Sequence, residues 1–394
     1  MIAESELSYE TYLDTLLGES IVDAQDRERS TFEKAVTGSG RRVVIYGAGN
    51  LGQKVLLGLK FKQVELVAFA DADPKLWNKR LHGVMVYAPK EAAALFGDNA
   101  LFLVAIWHPT SSHGVESILG SLRNLGCHNA ITFVPLFWSQ PETFLPYYLW
   151  DLPSRMLAAA DDVRRAFTLF GEVESRAEYV RQVRLRLRGD FACLKTPASH
   201  PQYFPNLFDH LADEHFVDCG AYDGDTIRSF LEGSDRRFGK VVAFEPDPHN
   251  VKRLRESLAA YPELMDRVVV YPFAIGDRAG TVRFNASSAS SSCVSEFGDL
   301  DVPCTTLDQV VDRATFIKMD IEGSELSALK GAQATIQRDR PVLAICVYHQ
   351  QEHLWEIPLF IAAQLDRATF SLRSYCADGF ESVCYAVPLE RSRP

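Results

Sequence analysis

The chain has 394 residues, 47% of them hydrophobic and 24% charged, close to the average of soluble globular proteins; at about 150 residues per domain the length predicts two to three domains. Collagen-like, disordered and disulfide-scaffold classes are excluded for the chain as a whole. Lys plus Arg number 41 against 52 Asp plus Glu, a net charge of −11, which argues against broad electrostatic attachment to nucleic acid or to an anionic membrane.

The acidic first residues lack a basic leader region, and no run of about 18 apolar residues occurs, so a cytoplasmic protein is expected. The eight cysteines (127, 193, 219, 293, 304, 346, 376 and 384) show no CxxC or paired metal spacing and read as packed free thiols.

In chain order, residues 1–40 read as a helical segment with Leu13, Leu16 and Leu17 on one face. It is a lead-in or a contact surface for a second copy, which leaves a homo-oligomer open. Residues 42–46 form an apolar strand entering Gly47-Ala-Gly49-Asn-Leu-Gly52, followed by Val55, Leu56 and Leu59 at helical spacing. Further strands at 64–70, ending at Asp71, and at 100–106 precede the polar stretch His108–Gly114 and a helix at 115–125. Strands alternating with helices predict a parallel Rossmann-like sheet over residues 41–150. Pro135, Pro141, Pro146 and Pro153 mark a boundary. Residues 151–205 read as a helical connector. Within it an apolar stripe (Val180, Val183, Leu187) runs beside an arginine stripe (Arg181, Arg184, Arg188), read as a solvated or salt-bridged face.

A second alternation occupies 206–394, with strands near 215–219, 240–245, 267–274, 316–320 and 342–348. The fold class expected is therefore α/β: two Rossmann-like doubly wound domains joined by a helical connector. The serine run Ala286–Ser292 reads as a loop, either inert or covering an acceptor.

The chemistry is expected at the carboxyl ends of the second set of strands. One strand ends in Asp218 and runs into Gly220-Ala221-Tyr222-Asp-Gly224-Asp225-Thr226; the glycines allow close backbone approach, and Asp225 or Thr226 can cap the next helix. An acid at the strand end would repel pyrophosphate but suits the ammonium of an amino-acid-like cofactor, which points to S-adenosylmethionine. Glu245, 27 residues further on, is placed to accept hydrogen bonds from ribose hydroxyls. The strand 316–320 ends at Asp320, followed by Glu322, and His349 follows the strand 344–348 at the next strand end, in the expected cleft. Asp320, Glu322 and His349 are the candidate bases for a hydroxyl acceptor; the two acids could equally cap the following helix, and the three together could hold a divalent metal.

These residues resemble the FkbM-type methyltransferases, S-adenosylmethionine-dependent enzymes of which many methylate hydroxyls of sugars or natural products. The landmarks lie in order over roughly 190–388: Val-Asp218-Cys-Gly-Ala-Tyr-Asp-Gly224-Asp, Phe-Glu245-Pro, Ala274-Ile275-Gly-Asp277, Thr306-Leu-Asp308, Ile317-Lys-Met-Asp320-Ile-Glu322-Gly-Ser-Glu325 and Leu329-Lys-Gly331-Ala. The resemblance implies that Asp218, Gly220, Gly224 and Glu245 hold the cofactor, that Ala274–Asp277 lies near its adenine, and that Asp320 lies near the methyl group. It implies a small-molecule or glycan acceptor. The acidic strand-end set Asp218, Glu245 and Asp320 predicts that Asp218→Ala abolishes cofactor binding with the fold largely intact.

The first domain meets the dinucleotide pattern with Gly47, Gly49, Gly52 and Asp71, which alone would suggest NAD. Its text from Arg41 to about Val134 is more similar to the N-terminal domain of bacterial sugar acyltransferases, which implies a nucleotide or nucleotide-sugar ligand. An NAD-dependent oxidoreductase and a non-catalytic nucleotide-binding scaffold are the alternative functions.

Overall fold

The computed structural model describes residues 8–107, 114–194, 197–199, 201–264, 266–285, 293–294 and 298–393. Two compact α/β units emerge. The N-terminal unit comprises Met1–Ala160, Val180–Pro197 and Cys376–Phe380; the C-terminal unit comprises Asp161–Tyr179, Ala198–Tyr375 and Glu381–Pro394. The segment 151–205, expected as a separate connector, is divided between them.

In the N-terminal unit, strands β1 (Arg42–Tyr46), β2 (Glu65–Ala70), β3 (Arg80–Leu81), β4 (Val84–Tyr87), β5 (Leu101–Val104) and β6 (Ala130–Thr132) form a sheet of order β3-β4-β2-β1-β5-β6. All neighbours pair in parallel except β3 with β4. Buried Val44, Ala68, Phe102 and Val104 join one face of the core. The chain builds outward from β1 through β2 to β4, then returns to the other side of β1 with β5, so the ends of β1 and β5 flank a switch point. Residues 9–17 and 21–37 are helices capped by Ser8 and Ser20, with Leu13, Leu16 and Leu17 buried. In the helix Val173–Arg188, Val180, Val183 and Leu187 are buried, while Arg184 pairs with Asp190 at 2.6 Å and Arg188 with Glu19 at 2.9 Å.

The C-terminal unit holds β7 (His215–Cys219), β8 (Lys240–Phe244), β9 (Val268–Tyr271), β10 (Ala274–Ile275), β11 (Gly280–Asn285), β12 (Cys293–Val294), β13 (Leu300–Thr305), β14 (Phe316–Met319), β15 (Val342–Cys346), β16 (Ala368–Ser374) and β17 (Ser382–Pro388). Seven of these make a mixed sheet of order β16-β17-β15-β14-β7-β8-β9. Its central strands run parallel, and β17 is antiparallel to both β15 and β16. Apolar runs such as Val342–Cys346 are wholly buried, as a parallel strand covered on both faces requires. A smaller sheet, β10-β13-β11-β12, packs its own core around Phe284, Val302 and Cys304. The switch point lies between β7 and β14. The serine run Ala286–Ser292 lies wholly outside the described residues, as do His108–His113. The seven cysteines whose side chains are described are free thiols, six of them buried. Among the described residues no helix is long and apolar enough to cross a membrane.

Candidate active site

At the end of β7 the backbone turns sharply through Gly220 (φ +81°) and Gly224 (φ +86°) into the helix Asp225–Gly233. A Cβ on Gly220 would lie 1.9 Å from the carbonyl oxygen of Asp320. Only glycine lets the β7 turn and the β14 end approach this closely. Asp320 is thereby brought beside the glycine turn, its amide donating to the Cys219 carbonyl at 3.1 Å.

Asp218 does not project from the strand end. It lies within β7, fully buried, with Oδ1 3.0 Å from the Lys318 ammonium on the neighbouring strand β14. Burial pushes its carboxyl up to about 6 although the Lys318 charge opposes this. Lys318 also donates to the Gly220 carbonyl at 2.7 Å. The Asp218–Lys318 pair thus braces the turn, and removing Asp218 would strand a buried ammonium instead of leaving the fold untouched.

Glu245, just after β8, is buried and pushed up to about 7 by that burial. Its Oε2 accepts the Tyr222 amide at 2.9 Å, and its Oε1 accepts the Asp247 amide at 2.9 Å and the Asn250 side chain at 3.4 Å. An ionised carboxylate offers about four lone-pair sites, so Oε2 retains capacity for a further donor. Tyr222 sits in the left-handed region (φ +47°), with the Arg253 guanidinium 4.5 Å from its ring centroid. Ala221 and Thr226 are buried, and exposed Asp225 accepts the Thr226 amide at 2.8 Å. Ala274 and Ile275 are buried in β10, pairing with β13. In that turn Asp277 is exposed, its amide donating to Ser327 at 3.1 Å.

The three candidate bases come together. His349 Nε2 lies 3.4 Å from Asp320 Oδ1 and 3.8 Å from Glu322 Oε2. Their exposures differ in a way that decides their roles: the side chains of Asp320, Glu322 and His349 are 24%, 17% and 1% exposed. His349, expected in the cleft, is buried behind the two acids. Burial would lower its pKa, but Glu325, Glu322 and Asp320 outweigh this and push it up to about 10. Asp320 also accepts the Tyr203 hydroxyl at 2.8 Å and the Tyr348 hydroxyl at 3.3 Å. Glu322 sits at φ +53°, and burial, together with the nearby charges of Asp320, Glu325 and Glu381, pushes it up to about 8 against the pull of His349. Glu381 is pushed up to about 7 by burial and by Asp320.

Asp320, Glu325 and His349 each present a donor atom within 4.8 Å of the others, a spacing a cation would also need. Four nitrogens already converge on Glu325. The Ile321 amide (2.8 Å) and His349 Nδ1 (2.8 Å) meet Oε1; the Gly323 amide (3.1 Å) and His353 Nδ1 (3.3 Å) meet Oε2. The two amides donate hydrogen bonds and the two imidazole nitrogens lie at ion-pair distance, so the Glu325 carboxylate is already surrounded by partners of the protein's own.

Sequence reasoning gave Lys318 and Glu325 no role beyond their place in a motif, and passed over Tyr203, His353 and Glu381. Lys318 was visible: a lysine inside an otherwise apolar parallel strand demands a buried acid. Tyr203 and Glu381 come from segments far away in the chain and carry no local signal.

In the N-terminal unit, Gly47 (φ +110°) turns out of β1, and the helix Asn50–Phe61 follows Gly49. A Cβ on Gly52 would lie 2.1 Å from the Gly47 carbonyl oxygen, so this glycine serves close packing of turn and helix. Asp71 Oδ2 accepts the Ala48 amide and Oδ1 the Asp73 amide, both at 2.8 Å.

Residues 218–372 match the family model described as the methyltransferase FkbM domain. No curated protein sequence matches the chain significantly. Among solved structures, the chain is similar in fold to the methyltransferase FkbM from Methylobacillus flagellatus KT, at 20% identity and a TM-score of 0.75, over 94% of this chain and 99% of that one. Two others superimpose only in part. UDP-D-quinovosamine 4-dehydrogenase from Vibrio fischeri gives 29% identity and a TM-score of 0.20 over 23% of this chain and 75% of that one. An rRNA methylase from Streptococcus thermophilus gives 14% identity and a TM-score of 0.29 over 46% and 89%. The chain has an α/β fold with mixed sheets, and its similarity to the methyltransferase FkbM domain spans residues 218–372, within the C-terminal unit.

Proposed function

We propose that the C-terminal unit transfers a methyl group from S-adenosylmethionine to a hydroxyl oxygen of a sugar-containing or natural-product acceptor. The observation that carries this reading is the meeting, across the β7/β14 switch point, of a glycine turn braced by Glu245 and a titratable cluster led by Asp320. The donor set suits the cofactor: Glu245 has a free lone pair for a ribose hydroxyl, and the surrounding carboxylates suit a ligand that carries ammonium and sulfonium charges. Gly220, Ala221, Tyr222, Gly224, Asp225, Thr226 and Glu245 would hold it, with Ala274, Ile275 and Asp277 beside its base.

When bound, the cofactor supplies an electrophilic methyl group on a positively charged sulfur. The protein's part is orientation and proton removal. Asp320, the most exposed of the three, would receive the proton that the acceptor hydroxyl gives up on methylation. Tyr203 and Tyr348 hold the Asp320 carboxylate in place through their hydroxyls. His349 stands behind them as a cation whose Nε2 lies 3.4 Å from the Asp320 carboxylate.

Thermal unfolding with S-adenosylhomocysteine, NAD and a nucleotide sugar in parallel tests the reading. A ligand at about 100 times its Kd adds about 2.7 kcal/mol, which for a domain of about 150–250 residues is a shift of roughly 5–11 °C. S-adenosylhomocysteine is expected to produce that shift, and Asp320→Asn to retain it while losing turnover. A shift with NAD alone would move the enzyme to the N-terminal unit and overturn the proposal.

A further inference from the structure

Glu325 is fully buried at the start of the helix Glu325–Lys330. Its two oxygens do two separate things. Through the Ile321 and Gly323 amides they pin the turn that carries Asp320 and Glu322, a turn with Glu322 and Gly323 at φ +53° and +100°. Through His349 Nδ1 at 2.8 Å and His353 Nδ1 at 3.3 Å they gather two buried imidazoles. An imidazole has two nitrogens on opposite sides of one ring, so tying Nδ1 to a fixed carboxylate aims Nε2 away from it.

We propose that Glu325 is the positioning residue of this site: it turns His349 so that Nε2 faces Asp320 and Glu322. The consequence for catalysis rests on the methyl-transfer reading, but the orientation does not. Glu325 itself touches neither acceptor nor cofactor. It acts through His349, and the same carboxylate sets both the position of the two acids and the cation behind them, so the acids and their counter-charge stay in register.

The groups facing His349 are Glu325 on one side, Asp320 and Glu322 on the other, Glu381 beyond Asp320, and the adjacent Tyr348 ring at 4.1 Å. His353 shares Glu325. Of the three facing carboxylates, Glu325 lies closest to the ring, and burial alone would raise its pKa. His349 and His353 instead hold it well below the usual carboxylate range, so it stays charged where Glu322 does not.

The test uses the full chain labelled with 15N-histidine, with His349 identified by its disappearance in His349→Gln, and titrated from about pH 5 to 10. The wild-type His349 resonances are expected to stay doubly protonated past pH 8. In Glu325→Gln the titration midpoint is expected to fall by at least about 1.5 pH units, the scale of an opposite charge within about 4–6 Å. A merely structural Glu325 would lower the unfolding temperature of Glu325→Gln and leave the histidine titration in place, which overturns the proposal. If Glu325→Gln does not fold, the wild-type titration decides: a midpoint near the ordinary value of about 6.5 overturns it as well. S-adenosylhomocysteine binding is measured on the same wild-type sample. Its absence there would remove the methyl-transfer reading while leaving the histidine result standing.

Discussion

The two units carry the same glycine-turn device, and they differ in what stands across the crevice from it. In the N-terminal unit Gly47 donates to the Ala70 carbonyl, and Asp71 accepts the Ala48 and Asp73 amides; Asp73 in turn accepts the Lys75 amide ahead of a turn that begins with Pro74. In the C-terminal unit Gly220 donates to the Phe244 carbonyl, and Glu245 accepts the Tyr222 and Asp247 amides; Asp247 accepts the His249 amide of a helix that begins with Pro248. Beyond the switch point, β5 leads to Ala105, Ile106 and Trp107, whereas β14 leads to Asp320 and Glu322, with His349 beside them. An acid at the second strand end is therefore a brace for the turn in both units and does not by itself identify a ligand. The titratable cluster distinguishes the two.

The largest effect that would break this comparison comes from the turns themselves. Gly220→Ala must force a Cβ to 1.9 Å from the Asp320 carbonyl, and Gly47→Ala to 2.7 Å from the Ala105 carbonyl and 2.6 Å from an Ile106 carbon, both at positive φ. Each is expected to cost at least about 1–3 kcal/mol in backbone strain alone. Gly220→Ala should lower S-adenosylhomocysteine affinity by at least about 100-fold, about 2.7 kcal/mol, while Gly47→Ala should leave it within about threefold. Calorimetric titration of both variants checks this. Equal losses would mean that the two turns serve one site, and the distinction between the units would fall.

Next in size is Asp218. Its counterpart two residues before the turn glycine in the N-terminal unit is Ile45, also fully buried. Asp218→Ala leaves Lys318 buried without its acid and should destabilise the C-terminal unit by about 3–5 kcal/mol in chemical denaturation. Asp218→Leu combined with Lys318→Met, which restores the apolar pairing seen in the N-terminal unit, should recover most of that loss. A single variant as stable as the wild type would show that the pair does not brace the turn.

This pair also shows how far the sequence can be read. The alternation of strands and helices, the positive-φ glycines and the order of the acidic strand ends were all legible, because each leaves a local mark in spacing or residue type. Whether Asp218 faced outward was not legible, since that depends on Lys318, 100 residues away, sitting in register with it on β14. The placement of Asp320, Glu322 and His349 at neighbouring strand ends followed from periodicity. Their division into exposed acids and a buried cation did not, because it is set by Glu325, Tyr203 and Glu381 converging from three separate segments.

The acidic cluster makes a third difference between the units, one that pH should reveal. Glu322 has an ordinary pKa of 4.5 and is raised to about 8 in the folded protein. Between these values the folded state holds a proton that the unfolded state has lost, so the contribution of this group is full below about 4.5 and declines as the pH rises through 8. His349, raised to about 10, adds a slope of the same sign above 6.5. Unfolding free energy should fall with rising pH, and Glu322→Gln should flatten the fall between about pH 5 and 8 by up to about 1.4 kcal/mol per pH unit. Denaturation midpoints at five or six pH values would show it. An unchanged slope would mean that Glu322 ionises normally.

The smallest expected effect sharpens the comparison at the turn residue itself. Tyr222 holds φ +47° with its backbone N–H donating to Glu245, and Arg253 lies over its ring at 4.5 Å; Arg253 also donates to Asn250 at 2.8 Å, which reaches Glu245. Arg253 thus touches the ring directly and reaches the carboxylate that holds the turn's amide only through Asn250. At an exposed site a guanidinium over a ring contributes about 0.5–1 kcal/mol, so Arg253→Ala should weaken S-adenosylhomocysteine binding by about two- to fivefold and leave the unfolding midpoint nearly unchanged. Arg253→Lys keeps the charge but loses the planar face and the fork, and should fall between the two. In the N-terminal unit Lys54 lies over Tyr147 at 4.7 Å, a pair set away from the Gly47 turn's own residues. Lys54→Ala should therefore leave S-adenosylhomocysteine affinity where it was. If it weakens binding as much as Arg253→Ala does, ring contact at the braced turn is not what separates the two units.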